Sequence, residues 1–438
     1  MAHAGKKVAL FERHFYAGGR IGSSKRDGFT VDLGVHLISR GEKGPLIKVL
    51  EQCEVDHGIE FTKVRPIQST GGENFRFPHD LKGRVADEDF DGVVRMMTEV
   101  KGMSDEQTHE FDDLTLEEFL NRYTTDPFVG FIYCCTTEKT LCAGEFCRCL
   151  KWEAEARASG YPMGGCTAIA EAYLKGLDRY GVDVHFGALV SKVIIEDGRA
   201  VGIVANGEEY RADLIASNAG LKETVRDLVG AEHFDKDYAD YVEGLSIGFT
   251  SIVARYALDT VISPDIKMLS NFSSMPVQEY NDMIMRGEIP SEINSFIVVP
   301  SAFDPSVSEA LKQEKVAKFT EGKQIVMMTT AVPAGIKEEY CKPILDALVE
   351  VAESHFPGLR EHAIFVEEML PSDAARIMGE DGAGIGIVQA VGQAGIHRPK
   401  IATPIPGLYI VGAEAGGAGV GTELAANSAL EFFENYGK

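Results

Sequence analysis

The sequence predicts an α/β protein in which one domain is assembled from separated stretches of chain, with a second, mixed α+β domain inserted between them. Three observations carry that prediction. Near the N-terminus the apolar run Val8-Ala9-Leu10-Phe11 ends on an acid, Glu12, and enters a glycine-rich turn, Ala17-Gly18-Gly19-Arg20. Near the C-terminus the run Gly407 to Gly412 passes through a glycine cluster into a helix. The whole chain has 438 residues, too many for one core at about 100–200 residues per domain.

The elements follow in order. His3-Ala4-Gly5 resembles the last turn of a helix with its glycine stop. After Glu12 and the turn come strand-like pieces at Phe29–Asp32 and Val35–Ile38, then helical spacing at Leu46–Leu50. A β-rich piece is expected around Phe75–Pro78, and 81–150 reads as mostly helical and acidic. Tyr161-Pro162-Met163-Gly164-Gly165 opens a second organised block. Apolar spacing predicts a helix from Ala168 to Tyr180, stopped at Gly181. Val182–Phe186 and Val190–Ile195 read as strands, Asp197-Gly198 as a two-residue hairpin turn, and Ala200–Val204 as the return strand. Ala212 to Gly220 reads as a buried strand running into a turn. Helical and strand patterns mix from 225 to 370, with strands at Thr250–Tyr256, Phe296–Val299 and Ile325–Thr329. A helix through Glu423 to Tyr436 closes the chain. There is no repeat of fixed period.

Composition bounds the function. Forty-three basic residues against 67 acidic ones give a net charge of −24, which repels phosphate backbones, so nucleic acid is not an expected partner. No run approaches 18 apolar residues, so no transmembrane segment is expected. The N-terminus lacks the apolar core of a signal peptide. The expected location is cytoplasmic, or peripheral to a membrane, and oligomeric state is left open. Glycine makes up 46 residues, above the average of about 7%, and the excess is local.

Two stretches carry chemistry. An acid at the end of a strand, Glu12, is where a dinucleotide-binding βαβ unit bonds ribose hydroxyls. The sequel Arg13-His14-Phe15-Tyr16-Ala17-Gly18-Gly19-Arg20 lets backbone amides approach a pyrophosphate while a guanidinium pairs with it. In the second stretch a strand ends at Gly412, Glu414 stands two residues on, and a helix starts near Thr422. Five glycines fall between Gly412 and Gly421. Backbone N–H groups at such a helix start favour electron-rich oxygen, a phosphate or the pyrimidine side of a flavin.

These pieces, with Tyr161–Gly165, Val190–Val204, Ser217-Asn218-Ala219 and Arg398-Pro399, resemble the FAD-dependent amine oxidase and phytoene desaturase superfamily, nearer its carotenoid desaturase and isomerase branch. At motif level the resemblance spans both ends and roughly half the chain. It implies a glutathione-reductase-type, Rossmann-like FAD-binding domain (1–70, 155–225 and 380–438) and an inserted mixed α+β substrate domain (71–154 and 226–379). Carried onto this sequence, Glu12 would hold the adenosine ribose, Gly18, Gly19 and Arg20 would lie at the pyrophosphate, and Val190 at the adenine through its backbone, with Arg13 also counted among the cofactor-binding residues. Gly412 and Glu414 would face the ribityl–phosphate region, and Gly421, Thr422 and Glu423 the flavin ring. The superfamily usually has Asp where Glu414 stands. The implied reaction is hydride and proton removal from a hydrophobic substrate, a carotenoid or other polyprenoid ahead of an amine or a porphyrinogen. The rivals are a redox-neutral isomerase and a flavin-free remnant acting as a binding subunit. No side chain stands out as a general base.

One departure stands against the pattern. The superfamily begins with a strand and a G-x-G-x-x-G turn about 20 residues before the ribose acid, which falls before residue 1. Gly382-Ala383-Gly384-Ile385-Gly386 lacks the spacing to replace it. The expectation is a start codon placed too late. The chain as given should then bind FAD poorly until about 25–35 upstream residues, a strand plus crossover helix, are restored. Six of eight cysteines lie between Cys134 and Cys166, with Cys135, Cys142 and Cys149 at seven-residue intervals. They form no C-x-x-C pair, so buried thiols are expected and no metal site. His36, His185 and His397 show no metal spacing, and a substrate-facing role stays open for His397-Arg398.

Overall fold

The computed structural model describes residues 1–34, 37–64, 66–126, 140–273, 275–308, 322–379 and 383–437. Val35, His36, Cys134, Cys135 and Gly382 lie outside the described residues. Helices of eight or more residues and all described strands are labelled in chain order.

The apolar N-terminal run becomes β1 (Ala9–Glu12), and Gly18 to Ile21 forms a tight turn. The hairpin of β2 (Ser23–Arg26) and β3 (Phe29–Asp32) follows. Of the strand expected at Val35–Ile38, Leu37 and Ile38 make none: Ile38 forms an isolated bridge to Gly160. A Pro at the first position starts α1 (Pro45–Gln52), where its missing N–H costs nothing. Then come β4 (Phe61–Lys63), β5 (Ile67–Thr70) and β6 (Glu73–Phe75). Among its described residues the acidic stretch forms helices α2 (Asp87–Gly102) and α3 (Ala143–Ala156).

Next, β7 (Gly160–Pro162) pairs with β4 and leads into α4 (Thr167–Arg179). From there β8 (Asp183–Phe186) returns beside β1 in parallel, with Glu12 opposite Phe186. A three-stranded meander follows: β9 (Val190–Glu196), β10 (Arg199–Ala205) and β11 (Glu208–Arg211). Asp197 and Gly198 both have positive φ, 49° and 73°, as a two-residue type I′ hairpin requires. The expected 212–220 strand contracts to β12 (Ile215–Ser217), beyond which the chain turns into a short helix at Leu221.

After α5 (Lys236–Gly244) come β13 (Thr250–Leu258), β14 (Met268–Asn271), α6 (Val277–Arg286), β15 (Ser295–Val298), β16 (Gln324–Val332), α7 (Glu338–His355), β17 (Ala363–Met369) and α8 (Pro371–Met378). One seven-stranded sheet has the order β17-β13-β16-β15-β14-β5-β6. Its central strands β13, β14, β15 and β16 are buried along most of their length on both faces and are largely apolar. Ile252, Ala254 and Leu258 pack with Ile344, Leu345 and Leu348 of α7. From the other face, Ala257, Met268 and Met327 meet Phe29, Val31 and Tyr161. Arg255 crosses that junction, its Nε donating to the carbonyl of Asp32 at 2.8 Å. Finally β18 (Leu408–Ile410) lies parallel to β12, and α9 (Gly421–Tyr436) ends the fold.

Among the described thiols, Cys142, Cys147, Cys166 and Cys341 are buried and Cys53 and Cys149 half-buried. Burial pushes Cys142 and Cys147 up to about 12, far from the thiolate form that reactivity needs. Among the described residues no three His, Cys, Asp or Glu side chains could hold a metal.

Candidate functional site

At the N-terminal end, β1 delivers Glu12 to the mouth of the turn. Its Oε1 accepts from the backbone N–H of His14 at 2.7 Å, which stiffens the loop. Arg13 and His14 both turn to helix α8: Arg13 Nη2 and His14 Nε2 donate to the carbonyl of Ile377 at 3.0 and 2.9 Å. A cation there suits the negative end of a helix, so Arg13 serves the fold. Arg20 donates to the carbonyl of Ala383 at 3.1 Å. Gly18 packs against Ala170 of α4, whereas a Cβ on Gly19 would meet nothing within 4 Å. Backbone beside open space is what a pyrophosphate needs. Val190 opens β9 opposite Ala205.

At the C-terminal end the glycine turn is held from behind by α9. Ser428 Oγ accepts from Gly412 N–H at 3.1 Å, and Glu431 from Gly417 N–H at 2.6 Å. The N-cap residue of α9, Val420, makes no side-chain cap hydrogen bond, and the positive dipole end of the helix favours an electron-rich group in front of it. Gly421 takes φ +58°, and a Cβ there would meet nothing within 4 Å; Thr422 stands beside it, half-buried.

Two of the acids expected at the cofactor have partners within the protein. The carboxylate of Glu414 is buried and accepts from Leu221 N–H at 2.6 Å. It caps the short helix there, a role open to the longer Glu and not readable from a local motif. We expect Glu414→Ala to cost the flavin-free protein about 1–2 kcal/mol, by stranding a buried N–H. Chemical denaturation checks this, and an unchanged midpoint would return Glu414 to a purely ligand-facing role. Glu423 is gripped by Arg40, whose backbone N–H and Nε donate to it at 3.1 and 2.7 Å. Burial pushes its carboxyl up, and the guanidinium opposes the shift.

Arg40 thus joins segments 383 residues apart, and its guanidinium lies 4.8 Å from the Trp152 ring. Its Nη2 is buried with no hydrogen-bond acceptor among the described residues, as is Nε of Arg398. Orphaned donors of this kind, an uncapped helix start and an open glycine fit the oxygen-rich edge of a flavin. Exposed apolar side chains stand nearby: Ile396 is 59% exposed and Val420 40%.

Sequence reasoning missed Arg40 and the charged residues of α3. The only signal was Glu145 and Arg148 at i,i+3 on a helix that also buries Cys147.

The family model described as "Flavin containing amine oxidoreductase" matches residues 1–251, in agreement with the resemblance read from the motifs. Prolycopene isomerase 1, chloroplastic, of an Oncidium hybrid cultivar is 24% identical over 473 aligned positions, covering 94% of this chain and 76% of that protein. The 4,4'-diapolycopen-4-al dehydrogenase of Metabacillus indicus is 21% identical, covering 93% of this chain and 88% of its own. Among solved structures, an oxidoreductase from Methanosarcina mazei superposes with a TM-score of 0.74 at 20% identity, over 99% of this chain and 95% of that one.

Proposed function

The chain belongs to the flavin containing amine oxidoreductase family, and from that premise we propose that it uses FAD to dehydrogenate a polyene of the carotenoid class. The observation that carries the proposal is the uncapped start of α9, entered through an open glycine turn with exposed Val420 beside it. Its similarity to a prolycopene isomerase and a diapolycopenal dehydrogenase over more than nine-tenths of its length supports the substrate class.

FAD, when bound, supplies a two-electron acceptor for the hydride. The chain does the rest. The amides of Gly421, Thr422 and Glu423 present partial positive charge where a ring carbonyl would gather electrons. The backbone of Gly18 and Gly19 and the guanidinium of Arg20 would hold the pyrophosphate, Glu12 would accept from the ribose hydroxyls, and the backbone of Val190 would meet the adenine. Ile396 and Val420 exclude water from an apolar substrate. In this reading 1–70, 155–225 and 380–438 form the FAD domain and the remainder the substrate domain, with β5 hydrogen-bonded into the seven-stranded sheet. No described helix is long and apolar enough to cross a membrane, so a membrane-borne polyene would be met at the surface.

The test is anaerobic mixing of the FAD-loaded protein with polyenes in liposomes, followed by product chromatography with and without an electron acceptor. Flavin bleaching with a product lacking two hydrogens supports dehydrogenation. Double-bond rearrangement without an acceptor, needing pre-reduced flavin, would make it an isomerase. Bleaching by amines alone would assign it to amine oxidation.

A further inference from the structure

A charged cluster lies buried between α3 and the C-terminal glycine turn. Asp112, Arg148 and Glu145 are 0%, 1% and 2% exposed, and Arg398 is 8% exposed. Arg148 Nη2 donates to Asp112 at 2.7 Å and to Glu145 at 2.9 Å. Asp112 Oδ2 accepts from Ile396 N–H at 3.0 Å and from His109 at 2.8 Å. Glu145 Oε2 lies 2.9 Å from Arg398 Nη2, an ion pair without the alignment of a hydrogen bond. Its other oxygen, Oε1, accepts from the backbone N–H of Gly419. The packing leaves no slack: a Cβ on Gly144 would fall 2.0 Å from Asp112 Oδ1.

Two arginines and two carboxylates are an expensive way to fill a core. Apolar residues of similar volume are often as stable or more so, so stability alone does not explain the arrangement. What the cluster does that apolar residues could not is take hold of Gly419, two residues before α9 begins, and of Ile396 and Arg398. We infer that Glu145, held by Arg148 and Arg398, is a positioning residue that fixes the glycine turn and so sets where the first amides of α9 meet the flavin ring. The inference rests on the flavin reading above. It assigns to α3, an element of the substrate domain in that reading, control over the cofactor seat.

The experiment titrates purified, flavin-stripped protein with FAD by fluorescence quenching and measures the midpoint potential of the bound flavin. Wild type is set beside Glu145→Gln, Arg398→Met, Arg398→Lys and, as an exposed control, Glu196→Gln. Glu145→Gln is expected to weaken FAD binding roughly tenfold, the size of one lost charge-assisted hydrogen bond. It should also raise the midpoint potential, because removing a buried carboxylate leaves two guanidinium groups to favour the reduced, more electron-rich ring. Arg398→Lys should recover most of what Arg398→Met loses. If Glu145→Gln does not fold, Glu145→Leu with Arg398→Met removes one charge of each sign and the acceptor of Gly419, and the same weakening is expected. A folded variant with wild-type affinity and potential overturns the inference and leaves the flavin reading standing. Wild-type protein that takes up no FAD overturns both.

Discussion

Replacing Arg148 with methionine is expected to lower folding stability by about 3 kcal/mol or more, the usual cost of removing one partner from a buried ion pair. The stem volume is kept, so the loss isolates the guanidinium. It leaves Asp112 with His109 and Ile396 N–H, and Glu145 with Arg398 and Gly419 N–H. By contrast, Arg211 pairs with Glu196 and Glu209 in the open, at 2.6 and 2.9 Å, and Arg211→Met should leave the urea midpoint unchanged. The loss should also depend on pH. Burial works to raise the carboxyl of Asp112, but Arg148 and His109 outweigh it and hold it below the usual carboxylate range. A carboxyl lowered by folding stabilises above its unfolded value of about 3.9 and loses that stabilisation as pH falls through the folded value. Without Arg148 its part of the lowering is lost, while burial still opposes the charged form. The gap between wild type and variant should therefore be widest near neutrality and narrow below about pH 4. A gap constant over that range would mean that Asp112 does not feel Arg148.

Removing Arg20 should weaken flavin binding by about 1.5–3 kcal/mol, ten- to a hundredfold. Arg20 follows the paired glycines, with open space in front of Gly19. Its Nη2 donates to the carbonyl of Ala383 at 3.1 Å, and a guanidinium carries five N–H donors in a fork whose geometry suits a pyrophosphate. Arg13→Ala is the comparison, since its guanidinium closes the end of α8. That variant should lose stability but retain flavin better. Equal flavin loss in the two variants, by absorbance ratio and equilibrium titration, would remove Arg20 from the site.

What the sequence reveals and what it conceals divide along the range of the interaction. The end of β1 at Glu12, the turn through Gly19, the hairpin at Asp197-Gly198 and the block from Leu408 into α9 were all legible, because period, β-propensity and glycine placement act within a few residues. The seven-stranded sheet was legible only in part. Thr250–Leu258 and Gln324–Val332 are apolar on both faces and announce themselves, while Ala363–Met369 carries exposed edge residues and does not. The polar contacts were least legible. Arg40 meets Glu423, Glu145 meets Gly419, and Glu414 turns to Leu221; each partner lies about 200 residues or more away, and no local pattern records the pairing. Glu414 shows the hazard most clearly, because an acid after a glycine strand end suits a ribityl contact and a helix cap equally well.

The measurement that bears most directly on the account is equilibrium titration of the purified chain with FAD, read by quenching of flavin fluorescence and repeated with a bulky Gly421→Leu substitution in the open turn. The account predicts saturable FAD binding, even if weak, that is lost or weakened further when leucine fills the space before α9. Binding of the same strength in the Gly421→Leu protein would contradict the placement of the flavin at this helix.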